Sequence, residues 1–259
     1  DLIYYPDIGM HPVTYFLAYS RLATVQCTSW GHPDTTGISN LDYYVSNRLA
    51  EPVGAQAHYT EKLICLNRFP MYVPKPSSAP ERRRQDFGLP ADQKLYMCPQ
   101  SLFKLHPDFD ALAEGILRQD REGVLVLFHG KHPRWRELVL KRMARRMPDL
   151  VGRVLFVKRV PEADFPSVLG VADAVIDPPH FTGGYTSLIA FGQGVPVVTL
   201  PGAFMRGRLT YAFYRQMGLA EMVAVDKEAY VALAVKLAND RSFYREISDG
   251  IRERAKVLF

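Results

Sequence analysis

Residues 172–202, ADAVIDPPHFTGGYTSLIAFGQGVPVVTLPG, set the reading of the whole chain. An apolar run ending on Asp177 is followed by two prolines, two glycines, a helix-like stretch and a second apolar run that closes on Pro201 and Gly202. Strand, loop, helix, strand is the repeating unit of a parallel sheet covered by helices. The alternation continues outward in both directions. Upstream, KLYMCPQ, GVLVLFHG and RVLFVKR read as strands, separated by amphipathic helices at HPDFDALAEGILRQ, HPRWRELVLKRMARRM and EADFPSVLGVA. Downstream, RGRLTYAFYRQMG is a helix, MVAV a sixth strand, and one long helix closes the chain from Lys227. This predicts a complete doubly wound, Rossmann-like lobe over residues 87–259.

Residues 1–75 carry strands at LIYYPDI, ATVQCTSWG, LDYYVSN and LICLNRF, a helix at HPVTYFLAYSRL and a short one near AQAHYTEKL. That is too little for a full domain of roughly 150 residues, so a partial lobe is expected, in a chain that reads as a piece of something longer. VPKPSSAPERRR, rich in proline, serine and charge, marks a linker at 76–86.

With 259 residues and 47% hydrophobic composition, the chain can bury a real core. The net charge of +5 suits anions, but Lys and Arg are spread out. The dense spots RRR and KRMARR read as solvated surface, with phosphate contact as the other reading. Three cysteines, an odd number without CxxC spacing, point to reduced thiols and a cytoplasmic protein. No apolar run reaches the roughly 18 residues needed to span a bilayer. No stacking-platform pattern supports nucleic-acid binding.

In a doubly wound sheet, ligands sit beyond the carboxyl ends of the strands, where a helix N-terminus offers free N–H groups to an anion. Gly183 and Gly184 fall at such a place, opening the amides of Gly184, Tyr185 and Thr186 and the Thr186 hydroxyl to a phosphate. Two glycines also simply make a strand-to-helix turn, so this stretch alone leaves both readings open. CPQSLFKLHP, at the end of the lobe's first strand, brings Lys104 toward the same crevice, where it would neutralise a diphosphate leaving group. Seven histidines show no HxxxH pair. His11 and His106, each before a proline, read as helix-entry residues, and His180 adjoins the glycine loop. Asp7, at a strand end, reads as a turn cap or as a base.

The runs RLATVQCTSWGHPDTTGISNLDYYVSNRLAEP, QSLFKLHP, the whole of 154–202, RGRLTYAFYRQMG and the closing VLF resemble, in order and spacing, the O-GlcNAc transferases and SPINDLY-like proteins. PDIGMHP and GHPDTT are also similar to the HMW1C-type N-glucosyltransferases. The resemblance implies an α/β fold of GT-B type, with a UDP-sugar on the second lobe and a protein or peptide acceptor in the cleft. It implies inverting chemistry that needs no metal and no permanently bound cofactor, and a tetratricopeptide (TPR) array upstream. By the same resemblance Lys104 contacts the diphosphate, with Gln100 and Ser101 beside it, and Thr182, Gly183, Gly184, Tyr185 and Thr186 hold the phosphates. Val160 meets the base through its backbone, and Phe165 stands where a histidine stacks on it. Arg208 matches a family arginine, and His32 faces the cleft from the first lobe. One departure stands out: the acidic residue that holds the ribose is replaced here by Ile189.

Overall fold

A computed structural model describes residues 1–76 and 80–259; residues 77–79 of the predicted linker lie outside the described residues. The first sheet is built from β1 (Leu2–Tyr5), β2 (Val25–Ser29), β3 (Tyr43–Asn47) and β4 (Lys62–Leu66), all parallel and in chain order. The predicted first helix contracts to α1 (Pro12–Leu17), with Pro12 at its first turn, and 55–58 form only a 3-10 turn.

The second sheet carries β5 (Lys94–Met97), α2 (Pro107–Gln119), β6 (Gly123–Phe128), α3 (Pro133–Arg146), β7 (Val154–Val157), α4 (Phe165–Gly170), β8 (Ala174–Ile176), α5 (Tyr185–Gly192) and β9 (Val197–Val198). Then follow α6 (Leu209–Met217), α7 (Lys227–Asn239) and α8 (Arg241–Arg254). Strand order is β7-β6-β5-β8-β9, all parallel. Residues 123–127 of β6 are all buried, as expected where helices cover both faces, and each fully buried Val or Leu contributes about 1.5–3 kcal/mol.

Two expectations are corrected. MVAV is not a sixth strand but a single parallel bridge, Thr199 to Val223, because the chain turns into α7 directly afterwards. The closing helix is two, since Asp240 leaves helical geometry and its carboxylate accepts the amides of Ser242 and Phe243, capping α8.

Trp30, at the end of β2, joins the two sheets: its indole packs against Phe69 and Phe213 at ring distances of 5.4 and 6.2 Å. It belongs to the same buried cluster as the second sheet, while Tyr5, Ile8, Ala18, Ile38 and Leu41 form a small separate core under the first. Among the described residues no helix is long and apolar enough to cross a membrane.

Candidate functional site

From β5 the chain winds outward through β6 and β7, then returns to lay β8 on the other side of β5. The loops leaving β5 and β8 therefore diverge and open a crevice at the switch point. QSLFK follows β5 and PPHFTGG follows β8, so topology alone brings these two stretches together.

The two glycines are required by space. A Cβ on Gly183 would lie 2.2 Å from Ser187 Oγ and 2.8 Å from Gln100 Nε2. One on Gly184 would meet the Trp30 ring at 3.0 Å and Leu209 at 3.4 Å. Neither has positive φ, and Gly184 caps α5 with an irregular φ of −104° and ψ of −91°. The one non-glycine residue with positive φ among the described residues is His180.

Hydrogen bonding divides the loop in two. The Thr182 amide and hydroxyl both donate to the Arg206 carbonyl, at 2.8 and 3.2 Å, and the Gly183 amide donates to Asp177 Oδ1 at 2.7 Å. The amides of Gly184, Tyr185 and Thr186 have no partner among the described residues, as the first amides of a helix do not. Beside them Lys104 Nζ donates to Gln100 Oε1 at 3.3 Å, and Gln100 Nε2 donates to Thr186 Oγ1 at 2.6 Å. That chain leaves the Thr186 hydroxyl proton and further Lys104 protons available to an anion.

Lys104 is half-buried, its ammonium 4.3 Å from the centre of the Phe181 ring. Burial pushes its pKa below the usual lysine value, opposed by the charge of Asp177. Asp177 is itself 1% exposed, and burial pushes its carboxyl up to about 6 against the hydrogen bonds and the Lys104 charge that favour the anion.

A cavity of about 670 Å³ opens from this point. Gln100, Ser101, Val160, Phe165, Tyr185 and Thr186 all line it, as does Ile189 one turn into α5. Phe128, 5.9 Å from Phe165 between ring centres, and Trp135 add aromatic wall, while Glu162 is the carboxylate on its lining. Lys104, Thr182, Gly183 and Gly184 do not line this cavity; they stand beside it, next to Gln100 and Thr186.

Three predicted residues lie elsewhere. Arg208 donates to the carbonyls of Ala50 at 3.0 Å and Gly202 at 3.2 Å and stacks on Tyr211, clasping the two sheets together. Asp7 and His32 stand after the first and second strands of the first sheet, and Gly9 lies against His32, where a Cβ would meet the ring at 3.0 Å. The His32 ring has no hydrogen-bond partner among the described residues, and Asp7 Oδ1 is buried without one.

Sequence reasoning passed over Asp177, Trp30 and Asp108. Asp177 was visible as the polar end of an apolar strand, and Trp30 as the aromatic of TSWG. His106, Asp108 and His180 converge, with His180 Nε2 2.8 Å from Asp108 Oδ2, although 72 residues separate that pair. His106 Nδ1 accepts the Asp108 amide as the cap of α2, and Lys227 Nζ is 4.0 Å from Asp108. The His106 lone pair is thus engaged by a donor and the Asp108 carboxylate by the His180 ring and Lys227.

The sequence model for glycosyl transferase family 41 matches residues 73–258. Among curated proteins, the chain is 26% identical over 240 residues to the probable UDP-N-acetylglucosamine–peptide N-acetylglucosaminyltransferase SEC of Arabidopsis thaliana, covering 89% of this chain and 24% of that protein. The SPINDLY protein of Petunia hybrida, described as a probable transferase of the same kind, is 26% identical over 90% of this chain and 25% of its own length. A mutant of the Thermobaculum terrenum O-GlcNAc transferase superposes with TM-score 0.83 at 27% identity, over 100% of this chain and 49% of that one. Sucrose-phosphate synthase from Thermosynechococcus elongatus shares the fold, with TM-score 0.69 at 15% identity over 100% of this chain and 69% of that one. The chain thus spans about a quarter of the length of the curated relatives it matches.

Proposed function

The chain belongs to glycosyl transferase family 41, and from that membership we propose that it forms the nucleotide-sugar side of an inverting, metal-independent transferase. The donor is a UDP-sugar, UDP-GlcNAc by analogy with the peptide N-acetylglucosaminyltransferases it resembles, and the acceptor is a Ser or Thr hydroxyl of a protein. The observation that carries this reading is the free amide trio of residues 184–186 beside Lys104, at the mouth of an aromatic-walled cavity. A diphosphate on the amides places its base between Phe128, Val160 and Phe165, and its sugar toward the first sheet.

In the proposed step the acceptor oxygen forms a bond to the anomeric carbon while the bond from that carbon to the diphosphate oxygen breaks. The acceptor proton passes to His32, whose ring is unpartnered, with Asp7 as the alternative base. The departing UDP takes the electron pair, and its growing charge is stabilised by Lys104 and the positive end of α5. Cys27 and Cys98 are buried, Cys65 is half-buried and all three are free, which supports a reducing, cytoplasmic setting.

Ile189 favours a second reading. An isoleucine on the cavity wall accepts no hydrogen bond from a ribose hydroxyl, which costs about 1–3 kcal/mol if nothing replaces it, and a binding module without catalysis would tolerate that loss. Calorimetric titration with UDP, UDP-GlcNAc, UDP-glucose and GDP decides between them. Selective UDP binding that is lost in Lys104→Ala upholds the transferase site; a folded chain that binds none of the four overturns it.

A further inference from the structure

Asp177 is among the most deeply buried charged groups of the second lobe, and the proposed chemistry makes no use of it. Its surroundings are built for an anion. Oδ1 accepts the Gly183 amide, and Oδ2 accepts the Thr210 hydroxyl at 2.5 Å and the Thr199 hydroxyl at 3.4 Å. Ser187 Oγ, 2.8 Å from Thr210 Oγ1, extends the network into α5 itself. Tyr230 reaches over from α7 to donate to the Asp177 carbonyl at 2.7 Å, fixing the backbone.

We propose that Asp177 is a positioning residue for the anion site: one buried carboxylate both pins the glycine loop and sustains the positive charge of Lys104. The proposal rests on reading Lys104 and residues 184–186 as the diphosphate site. Pinning follows from the partition of the loop. With the Gly183 amide committed downward to Asp177, the next three amides are turned toward the crevice. The second effect follows from charge. Lys104 bears a desolvation penalty beside the Phe181 ring, and the Asp177 carboxylate is the charge that opposes it most. The titratable groups facing Asp177 are Lys104 after β5, Cys98 at the end of β5, Tyr214 on α6 and Tyr230 on α7. Burial raises the two tyrosines and the thiol, leaving Lys104 as the cation of the group.

Two variants separate the effects. Asp177→Asn keeps an acceptor for the Gly183 amide and removes the charge; Asp177→Ala removes both. Lys104 is titrated in the free chain by NMR of isotope-labelled lysine side chains, its signal assigned by loss in Lys104→Arg. The midpoint in Asp177→Asn is expected at least about one pH unit below that of the parent chain. The alkaline limb of UDP affinity should fall by the same interval. Near neutral pH, Asp177→Asn should bind UDP within about threefold of the parent and Asp177→Ala at least about tenfold more weakly. Thr210→Val, which loosens the network but leaves the charge, should not lower the Lys104 midpoint. It serves as the folded control for a merely structural role. An unchanged Lys104 midpoint in Asp177→Asn overturns the charge role, and equal UDP binding by Asp177→Ala overturns the pinning. A lowered midpoint in a chain that binds no UDP sinks the diphosphate reading but leaves the Asp177–Lys104 coupling standing.

Discussion

The two sheets are both parallel, yet their candidate groups are held very differently. On the second sheet three positions of the glycine loop are held by hydrogen bonds: Thr182 by Arg206, Gly183 by Asp177, Thr186 by Gln100. On the first sheet Asp7 and His32 hang from loops over a core of a few residues, and Phe16 of α1 is 71% exposed and Leu2 of β1 63%. Binding of a charged diphosphate rewards dipoles oriented in advance, because they need no reorganisation when charge develops. Accepting a proton from a variable protein segment makes no such demand.

The sharpest break in this contrast comes from the charge. Lys104→Ala should lower transfer by about a hundredfold or more with little change in melting temperature, since the side chain is half-buried and makes one hydrogen bond. Steady-state kinetics alongside calorimetry checks it, and normal turnover would end the proposed mechanism. Trp30→Ala removes the indole shared by both sheets and should cost about 3–5 kcal/mol in chemical denaturation. A loss below about 1 kcal/mol would mean that the indole is not what holds the sheets together and that contacts such as those of Arg208 suffice.

Gly183→Ala and Gly37→Ala set the two regions side by side. The first forces a methyl into Ser187 and Gln100 and should cost about 1–3 kcal/mol and UDP binding with it. The second has open space and pays only for its positive φ of 68°, about 1 kcal/mol, with donor binding intact. Equal losses of UDP affinity would erase the distinction.

Acid titration probes the same contrast. Because the folded-state pKa of Asp177 is raised, the chain binds more protons folded than unfolded between about 3.8 and about 6. Its contribution to stability is present below that window and is lost as pH rises through it. Asp177→Asn should remove that fall from a plot of denaturation midpoint against pH. The smallest effect is expected at the half-buried pair of Arg206 and Asp34, still partly open to solvent, where Asp34→Ala should change stability by about 0–1 kcal/mol.

The second sheet was legible because strands covered on both faces read as unbroken apolar runs, and because prolines and glycines mark the loops at their ends. The candidate cavity was legible to the same degree: the six predicted residues on its lining, Gln100, Ser101, Val160, Phe165, Tyr185 and Thr186, lie in the two stretches after β5 and β8 or in the short run from Val160 to Phe165. What could not be read is contact across long separation. Arg208 finds a carbonyl 158 residues away, and a main-chain oxygen has no residue type to announce it. Asp240 looked like one more polar position of a long helix, since a cap differs from an interior residue only in backbone angles. MVAV has strand composition, but the neighbouring pairing stops at two residues of β9.

The chain holds two tryptophans in all, and they stand at opposite ends of the proposed donor path. Trp30 presses on Gly184 at the anion end, and Trp135 lines the cavity with Phe103 at 5.8 Å between rings. The protein's near-ultraviolet emission therefore originates at the two places where a nucleotide would be gripped. Occupancy at either end becomes an optical signal of the unlabelled chain, and Trp135→Phe would resolve which end a given molecule reaches first.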